Sequence, residues 1–340
     1  MTDAAKTSQA PIAVLGAGSW GTALAIQFAR AGRPTRLWSR NAAQSSAMQL
    51  ERRNSRYLPD AAFPELLTIA PDLAAALDGT TDVLLAVPSH GFRSMLRELA
   101  PRLRADTRLC WATKGFELDT GLLPHQVAHE VLGTSRSFAV LSGPTFAREV
   151  GKGLPTAMTV ASPDQCYANA LAHSLSSEKF RAYTSDDIVG VEVGGAVKNV
   201  LAVGAGLTDG LGFGANTRVA LITRGLLEMT RLGERLGARR ETFMGLAGLG
   251  DLVLTCTDDQ SRNRRFGLLL AAGRNVTQAL EEIGQVVEGY LAAAAVHGVA
   301  TRLGVEMPIC EGIHRALYEN VAPREVVRDL MGRPIRSEFD

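Results

Sequence analysis

A glycine pattern near the start of the chain most constrains its fold. Residues 11–15 form a short apolar run, GAGSWG follows, and residues 22–32 have the periodicity of a helix. Gly16, Gly18 and Gly21 give the spacing G-x-G-x-x-G, in which the first glycine allows a tight turn, the second lets a pyrophosphate approach, and the third lets helix and strand pack. We therefore predict a strand, turn and helix that bind a dinucleotide; the alternative is an ordinary glycine-rich turn.

The end of the second predicted strand indicates which nicotinamide cofactor is preferred. An NAD site usually has Asp or Glu about 20 residues past the glycines, to bind the ribose hydroxyls. Here the segment reads Trp38, Ser39 and Arg40, and the first acid afterwards is Glu51. A guanidinium suits a 2′-phosphate, so Arg40 favours NADP(H), with NAD(H) also allowed. The alternative is a solvated surface arginine.

Strand and helix patterns alternate through the first half of the chain. This alternation predicts a Rossmann-type α/β domain over residues 1–184, whose ligands collect at the carboxyl edge of a parallel sheet. The later predicted strands are 82–87, 107–113, 138–141, 156–161 and 180–183, and a proline-containing loop is expected over 54–70.

Several polar residues directly follow these predicted strands. Lys114 comes after strand 107–113, where it would face the nicotinamide and a substrate unless it is a solvated loop lysine. Gly143 and Pro144 begin a turn whose free N–H groups could bind a ligand oxygen. His90 also lies at this edge, but a lone histidine is more often structural.

The apolar stretch 188–207 contains one lysine, Lys198. An amine held among aliphatic side chains loses hydration, which lowers its pKa and suits it to exchange a proton with a substrate. Alternatively, its stem lies on the core while its head reaches water. The stretch is also long enough to cross a membrane, but Glu192 and Lys198 near its centre, and its glycines, favour a helix within a protein core.

Strand patterns stop after residue 185, so we predict an all-α second domain over 185–340. Asp251, among aliphatic residues, is expected to be buried against Lys198. Arg262 and Asn263 follow Ser261 at a predicted helix start and suit a phosphate, unless SRNRR is simply a solvated basic helix. Glu288 could hydrogen-bond the cofactor.

The overall charge and the cysteines exclude other classes. The formal net charge is +1, so a nucleic-acid partner is not indicated. The four cysteines form no CxxC pair or Cys/His cluster, so neither a disulfide framework nor a metal site is predicted, and reduced thiols fit a cytoplasmic protein. Residues 1–10 are polar, lack an apolar signal core and are interpreted as a frayed tail.

The motifs together resemble those of bacterial NAD(P)-dependent glycerol-3-phosphate dehydrogenases over nearly the whole chain. They are GAGSWGTALA, LWSRN, AVPS, ATKGFE, SGPTFAREV, GLPTA, GVEVGGAVKNVLAVGAGL, LAGLGDLVLTC, SRNRRFG and VVEG. The resemblance implies a helical C-terminal domain like that of 6-phosphogluconate dehydrogenase. It also implies a cytoplasmic enzyme, plausibly a homodimer without a membrane span, that reduces dihydroxyacetone phosphate to sn-glycerol 3-phosphate for phospholipid synthesis.

The resemblance also assigns roles to individual residues. Lys198 would be the proton acceptor; in the mechanism that we then hypothesise, Lys114 orients and polarises the carbonyl and Asp251 holds Lys198 in place. Thr145 stands where many relatives have serine, which keeps the hydroxyl but adds a methyl group. Cofactor contacts would fall on Ser19, Trp20, Arg40, Lys114, Ala147, Arg262, Val286 and Glu288, and substrate contacts on Lys114, Gly143, Thr145, Lys198, Asp251, Ser261, Arg262 and Asn263.

Two other hypotheses share these features. A dehydrogenase of the same architecture could act on a hydroxyacid or sugar acid without a phosphate. A non-catalytic nucleotide-sensing protein would bind NADPH but would not need both the apolar-segment lysine and the phosphate-binding residues. Asp258 and Asp259, close to the predicted phosphate site, are expected to point to solvent because they would repel the phosphate.

Overall fold

A computed structural model describes residues 10–335 and 337–338 of the chain. Most of the predicted N-terminal tail, residues 1–9, lies outside the described residues. The strands are β1 Ile12–Leu15, β2 Thr35–Trp38, β3 Arg53–Asn54, β4 Leu58–Ala62, β5 Leu67–Ile69, β6 Asp82–Leu85, β7 Arg108–Trp111, β8 Phe138–Ser142, β9 Thr156–Ala161 and β10 Phe180–Ser185.

The helices lie between the strands in the first half and follow one another in the second. Those of the first half are α1 Ser19–Arg30, α2 Ala42–Glu51, α3 Leu73–Leu77, α4 Phe92–Leu99, α5 Pro124–Leu132, α6 Ala147–Lys152 and α7 Gln165–Leu175. Those of the second half are α8 Ile188–Gly210, α9 Ala215–Arg235, α10 Asp251–Thr257, α11 Arg262–Ala271, α12 Val276–Ile283, α13 Glu288–Leu303, α14 Pro308–Tyr318 and α15 Pro323–Met331.

The first half folds around an eight-stranded sheet in the order β10-β9-β8-β7-β6-β1-β2-β5. The strands β5, β2, β1, β6, β7 and β8 pair in parallel, so their carboxyl ends share one edge. β9 is antiparallel to β8, and β10 is parallel to β9. The Rossmann-type sheet is confirmed, and the loops after β1, β6, β7 and β8 meet at one edge as expected.

The segment 54–70, expected to be a loop, contains extended structure. β3 and β4 form a separate antiparallel pair, and β5 adds to the sheet beside β2. β5 has only three residues, Leu67–Ile69, with the outer two buried. Such a short run is not distinguishable from loop by its periodicity, and its pairing with β2 decides its conformation.

The helical half is built around α8, in which most residues are buried. α8 and α11 touch through their backbones: a Cβ on Gly206 would lie 2.0 Å from the Arg264 carbonyl oxygen, and one on Gly267 would lie 2.1 Å from the Val203 carbonyl oxygen. Glycine is therefore required at both positions. β10 ends at Ser185 and α8 begins at Ile188, beside the predicted domain boundary.

α8 is the one described helix that is long and apolar enough to cross a membrane. However, 94% of its apolar window is buried inside the protein. Lys198 and Glu192, which are 7% and 3% exposed, also lie within this helix. The burial supports the interpretation of this stretch as the core helix of the second domain.

Candidate active site

The glycine turn after β1 has the geometry of a dinucleotide cradle. Gly16 has φ +114°, and a Cβ there would lie 2.5 Å from the Ala86 carbonyl oxygen. A Cβ on Gly21 would lie 1.9 Å from the Gly16 carbonyl oxygen, whereas one on Gly18 would meet no described atom within 4 Å. α1 begins after Gly18 without a side-chain cap among the described residues, so no side chain there accepts from its first N–H groups. These features fit a pyrophosphate.

The other predicted cofactor residues come from several separate elements. Ser19 and Trp20 begin α1, and the buried indole Nε1 of Trp20 has no hydrogen-bond partner among the described residues. Arg40 is exposed just past the end of β2. Ala147 is the first residue of α6, and Val286, 38% exposed, precedes α13.

Two lysines from different domains share one buried carboxylate. Lys198 Nζ on α8 donates to Asp251 Oδ1 at 2.6 Å, and Lys114 Nζ, which follows β7, donates to Asp251 Oδ2 at 2.7 Å. The predicted pairing of Lys198 with Asp251 is confirmed, whereas the ion pair of Lys114 with Asp251 was not predicted. Lys198 also donates to Thr255 Oγ1 at 2.9 Å.

This arrangement shifts the protonation of both partners. Burial lowers the pKa of Lys198 to about 8, although the Asp251 carboxylate opposes the shift. Burial alone would raise the pKa of Asp251, but the two ammonium groups outweigh it and lower that pKa. An amine that titrates near neutral pH beside a carboxylate that stays charged is suited to proton transfer.

The predicted phosphate-binding residues lie at the start of α11. Ser261 caps the helix by accepting from the Arg264 N–H at 3.2 Å. Asn263 Nδ2 donates to Asn199 Oδ1 at 2.9 Å, while its own Oδ1 accepts from the Gly289 N–H at 2.9 Å. Arg262 donates to Gln285 Oε1 at 3.0 Å, and burial lowers its pKa. A guanidinium, an amide and helix N–H groups thus lie together, as phosphate binding needs.

The two acids beside this corner partly follow expectation. Asp259 is largely exposed, with 74% of its side chain accessible, but it also forms an ion pair with Arg264. Asp258 is half-buried and accepts from the Gln260 N–H at 2.7 Å. Both acids therefore have partners within the protein and are not simply solvated.

Glu288 connects the helical domain to the cofactor side of the cleft. Its carboxylate accepts from Ser89 Oγ at 2.8 Å and from the Ser89 N–H at 3.3 Å, just past β6. Burial raises the pKa of Glu288. His90, next in the chain, is exposed. Glu288 therefore lies at the sheet edge where a cofactor would be contacted.

The turn after β8 completes the cleft. Gly143 has φ +144°, and a Cβ there would lie 2.9 Å from Met158 Cα. Thr145 Oγ1 donates to the Gly143 carbonyl oxygen at 3.2 Å, so its hydroxyl lies in this turn. A Cβ on Gly195 of α8 would lie 3.3 Å from Lys114 Cγ, so the small residue allows the lysine stem to pass over the helix.

Sequence reasoning missed several contacts. Thr255 lies four residues after Asp251 on α10, a helical spacing that could have indicated it. Asn199 follows Lys198 directly and contacts Asn263. The bond between Ser89 and Glu288 has no signal in the sequence because the two residues lie in different domains.

A parallel sheet with a glycine-turn cradle, joined to a helical domain that supplies a buried lysine, defines a two-domain nicotinamide-dependent dehydrogenase. The comparisons with known proteins give the particular family. The family descriptions "NAD-dependent glycerol-3-phosphate dehydrogenase N-terminus" and "C-terminus" match residues 11–168 and 187–328. The chain belongs to the NAD-dependent glycerol-3-phosphate dehydrogenase family, and it is an oxidoreductase that uses NAD(H) or NADP(H).

Individual relatives agree with this family. Glycerol-3-phosphate dehydrogenase [NAD(P)+] of Aeromonas salmonicida is 56% identical over 331 residues, which cover 97% of this chain and 99% of the relative. The enzyme of the same name from Idiomarina loihiensis is 54% identical over 328 residues, 96% of this chain and 98% of the relative. The crystal structure of glycerol-3-phosphate dehydrogenase from Coxiella burnetii has a TM-score of 0.92 at 47% identity and covers 96% of this chain and 99% of that one.

Proposed function

We propose that this chain reduces dihydroxyacetone phosphate to sn-glycerol 3-phosphate, and runs the reverse reaction, in the cleft between its two domains. The observation that carries the proposal is the buried Lys198–Asp251–Lys114 cluster, with ammonium-to-carboxylate distances of 2.6 and 2.7 Å. The glycine turn and the Ser261–Asn263 segment supply the two kinds of phosphate site that a dinucleotide and a triose phosphate require.

NADPH or NADH, when bound, supplies the hydride that reduces the C2 carbonyl. The turn of Gly16, Gly18 and Gly21 and the first N–H groups of α1 would hold the pyrophosphate. The remaining cofactor contacts are proposed at Ser19, Trp20, Arg40, Lys114, Ala147, Arg262, Val286 and Glu288, with Arg40 favouring the 2′-phosphate of NADP(H).

Lys198 acts as the proton donor in the reductive direction. Charge that develops on the C2 oxygen is met by the Lys198 ammonium, which gives up its proton as the alcohol forms; in oxidation the neutral amine takes that proton back. Asp251 holds the amine in place and stabilises its charged form. Lys114, on the opposite side of Asp251, orients and polarises the carbonyl.

The phosphate of the substrate is bound at the start of α11. Arg262 and Asn263 donate to its oxygens, assisted by Ser261 and by the helix N–H groups. Gly143 and Thr145 contact the substrate from the turn after β8. Fixing the phosphate at one end holds the reacting carbon beside Lys198, so part of the binding free energy is used to orient the substrate.

The biological setting follows from the same proposal. The product is the backbone of glycerophospholipids, so the enzyme would supply phospholipid synthesis in the cytoplasm. The partner is a small-molecule substrate, and a homodimer is the proposed assembly.

The test follows the absorbance of reduced nicotinamide with dihydroxyacetone phosphate, using NADPH and NADH in turn. Consumption of cofactor that depends on the ketone phosphate is expected, with NADPH preferred. Faster turnover with phosphate-free oxoacids would instead favour a hydroxyacid dehydrogenase. NADPH binding without oxidation by any ketone would favour a nucleotide-sensing protein.

A further inference from the structure

The two lysines of the active site are carried by different domains. Lys114 follows β7 of the sheet, and Lys198 belongs to α8 of the helical domain. Asp251 holds the two ammonium groups at one place. Their backbones must also be fixed relative to each other, because a displacement of about 1 Å in an active site can cost about a hundredfold in rate.

A second buried carboxylate, Glu192, lies between the same two elements. It is 3% exposed on the first turns of α8, six residues before Lys198. Glu192 Oε1 accepts from the indole Nε1 of Trp111 at 2.9 Å, and Trp111 is the last residue of β7, three residues before Lys114. A single side chain therefore joins the strand that leads to one lysine with the helix that carries the other.

His125 at the start of α5 completes this contact. Glu192 Oε1 also accepts from the His125 N–H at 3.0 Å, and Glu192 Oε2 lies 2.5 Å from His125 Nδ1. Burial alone would lower the pKa of His125, but the neighbouring carboxylate outweighs it and raises that pKa. The carboxylate therefore favours the charged form of His125, and Glu192 has a hydrogen-bond partner at each of its two oxygens.

We propose that Glu192 is a positioning residue for the reaction, which fixes β7 against α8 and thereby sets the separation of Lys114 and Lys198. The proposal rests on the proposed function, because it concerns the alignment of those two amines. The Lys114 stem runs close over α8 at Gly195, so a shift of β7 along α8 would reach Lys114 directly.

A purely structural role is the competing explanation, since a buried carboxylate at a helix start also stabilises that helix. The chain offers a matched control in Glu228 of α9. Glu228 is 2% exposed and accepts from the Ile309 and Cys310 N–H groups at 2.7 and 3.0 Å, at the start of α14. Like Glu192, it is a buried carboxylate that accepts from N–H groups at a helix start, but both of these partners lie in the helical domain.

The experiment compares Glu192→Gln with Glu228→Gln in the full-length enzyme. Both variants should lower the melting temperature. Only Glu192→Gln should lower kcat for dihydroxyacetone phosphate, by about tenfold to a hundredfold, with KM changed by less than about threefold. It should also displace the high-pH limb of the rate profile, because Asp251 and Lys114, which face Lys198 together with Thr255, act on its pKa in addition to burial, and their distances to it would change.

Hydrogen exchange gives a readout that does not depend on turnover. The amides of residues 112–115 should exchange faster in Glu192→Gln than in the parent, and should be unchanged in Glu228→Gln. Trp111→Phe removes the indole donor and part of the buried ring volume but keeps a ring beside Phe92 and Phe138, so it tests the same link should Glu192→Gln fail to fold. It should reproduce the loss of kcat and the faster exchange.

The proposal is overturned if Glu192→Gln, or Trp111→Phe in its place, keeps the parental kcat, pH profile and exchange at 112–115. Equal losses of kcat in Glu192→Gln and Glu228→Gln would also overturn it, in favour of general destabilisation. If the parent enzyme does not turn over dihydroxyacetone phosphate, the proposed function fails. The exchange data would still report whether Glu192 joins β7 to α8.

Discussion

Each domain buries an aspartate between two cations, and the two clusters have different uses. In the sheet domain Asp82, 0% exposed, pairs with Arg33 and with Arg108, whose Nε and Nη2 lie 2.8 and 2.9 Å from its two oxygens. In the helical domain Asp251, 1% exposed, pairs with Lys198 and, across the cleft, with Lys114. The arrangement of charges is the same, but the chemical nature of the cations differs.

Burial disfavours the charged form of both kinds of cation, but a guanidinium keeps its proton whereas an ammonium can lose it. Burial alone would lower the pKa of Arg108, yet its hydrogen bonds with Asp82 outweigh that and raise it, so the group never loses its proton. Burial brings the pKa of Lys198 down to about 8. Asp82 also begins β6, at the sheet edge opposite the glycine turn. The arginine cluster is therefore suited to structure, and the lysine cluster to proton transfer.

The largest expected effect is the loss of the titratable amine. Lys198→Ala should reduce kcat by about a hundredfold to ten-thousandfold, the usual contribution of a general acid or base, while circular dichroism shows an intact fold. A variant with a near-normal rate would show that the amine of α8 is not the proton donor. The two clusters would then not differ in having a catalytic role.

The counterpart in the sheet domain should affect stability instead. Asp82→Asn leaves two guanidinium groups facing a neutral amide, and breaking a buried pair in this way costs about 3 kcal/mol of the free energy of unfolding. Denaturant unfolding measures this loss, and kcat per folded molecule should stay within about twofold of the parent, since Asp82 lies away from the cleft. A selective loss of kcat without a loss of stability would contradict the division of roles.

The pH dependence gives a third comparison. If Lys198 is the proton donor, reduction needs its ammonium form, so the rate of reduction should fall as the pH rises through about 8; oxidation then needs the free amine, so its rate should rise over the same range. Lys198→Arg, whose guanidinium holds its proton, should remove this titration from the residual activity. An unchanged pH profile in that variant would assign the titration to another group.

The smallest expected effect concerns a third arginine, Arg40, which is exposed beyond β2. If it binds the 2′-phosphate, Arg40→Ala should shift the ratio of kcat/KM for NADPH over NADH towards NADH by about tenfold, the value of one charge-assisted hydrogen bond. Arg36→Ala is the control and should leave the ratio unchanged, because Arg36 lies within β2 and its guanidinium is bonded to the Ala75 carbonyl oxygen. Equal behaviour of the two variants would make Arg40 an ordinary surface cation.

Much of this molecule could be predicted from local patterns. The strands of the sheet are apolar runs bounded by turns. The glycine spacing at the start of α1 predicts a dinucleotide-binding turn, because each glycine has a steric reason to be there. The Lys198–Asp251 pair could be predicted because each residue is a charge in an apolar stretch, and buried charges need partners.

The remainder depends on contacts between distant segments. β5 has too few residues to show the alternating hydrophobic pattern of a strand, and it forms only because β2 has a free edge with which it can pair. The attachment of Lys114 to Asp251 and of Glu192 to Trp111 joins residues from two domains, and neither pair has a spacing that the sequence could show. Burial of Lys198 could be predicted, but the position of the second amine needed the folded chain.

The backbone contact between α8 and α11 has a mechanical consequence. Since Gly206 and Gly267 leave no layer of side chains between the two helices, α8 cannot slide or rotate against α11 without a steric clash. Any hinge movement between the domains would therefore carry Lys198 and Asn263 together, so the proposed proton donor and the proposed phosphate site would keep their separation.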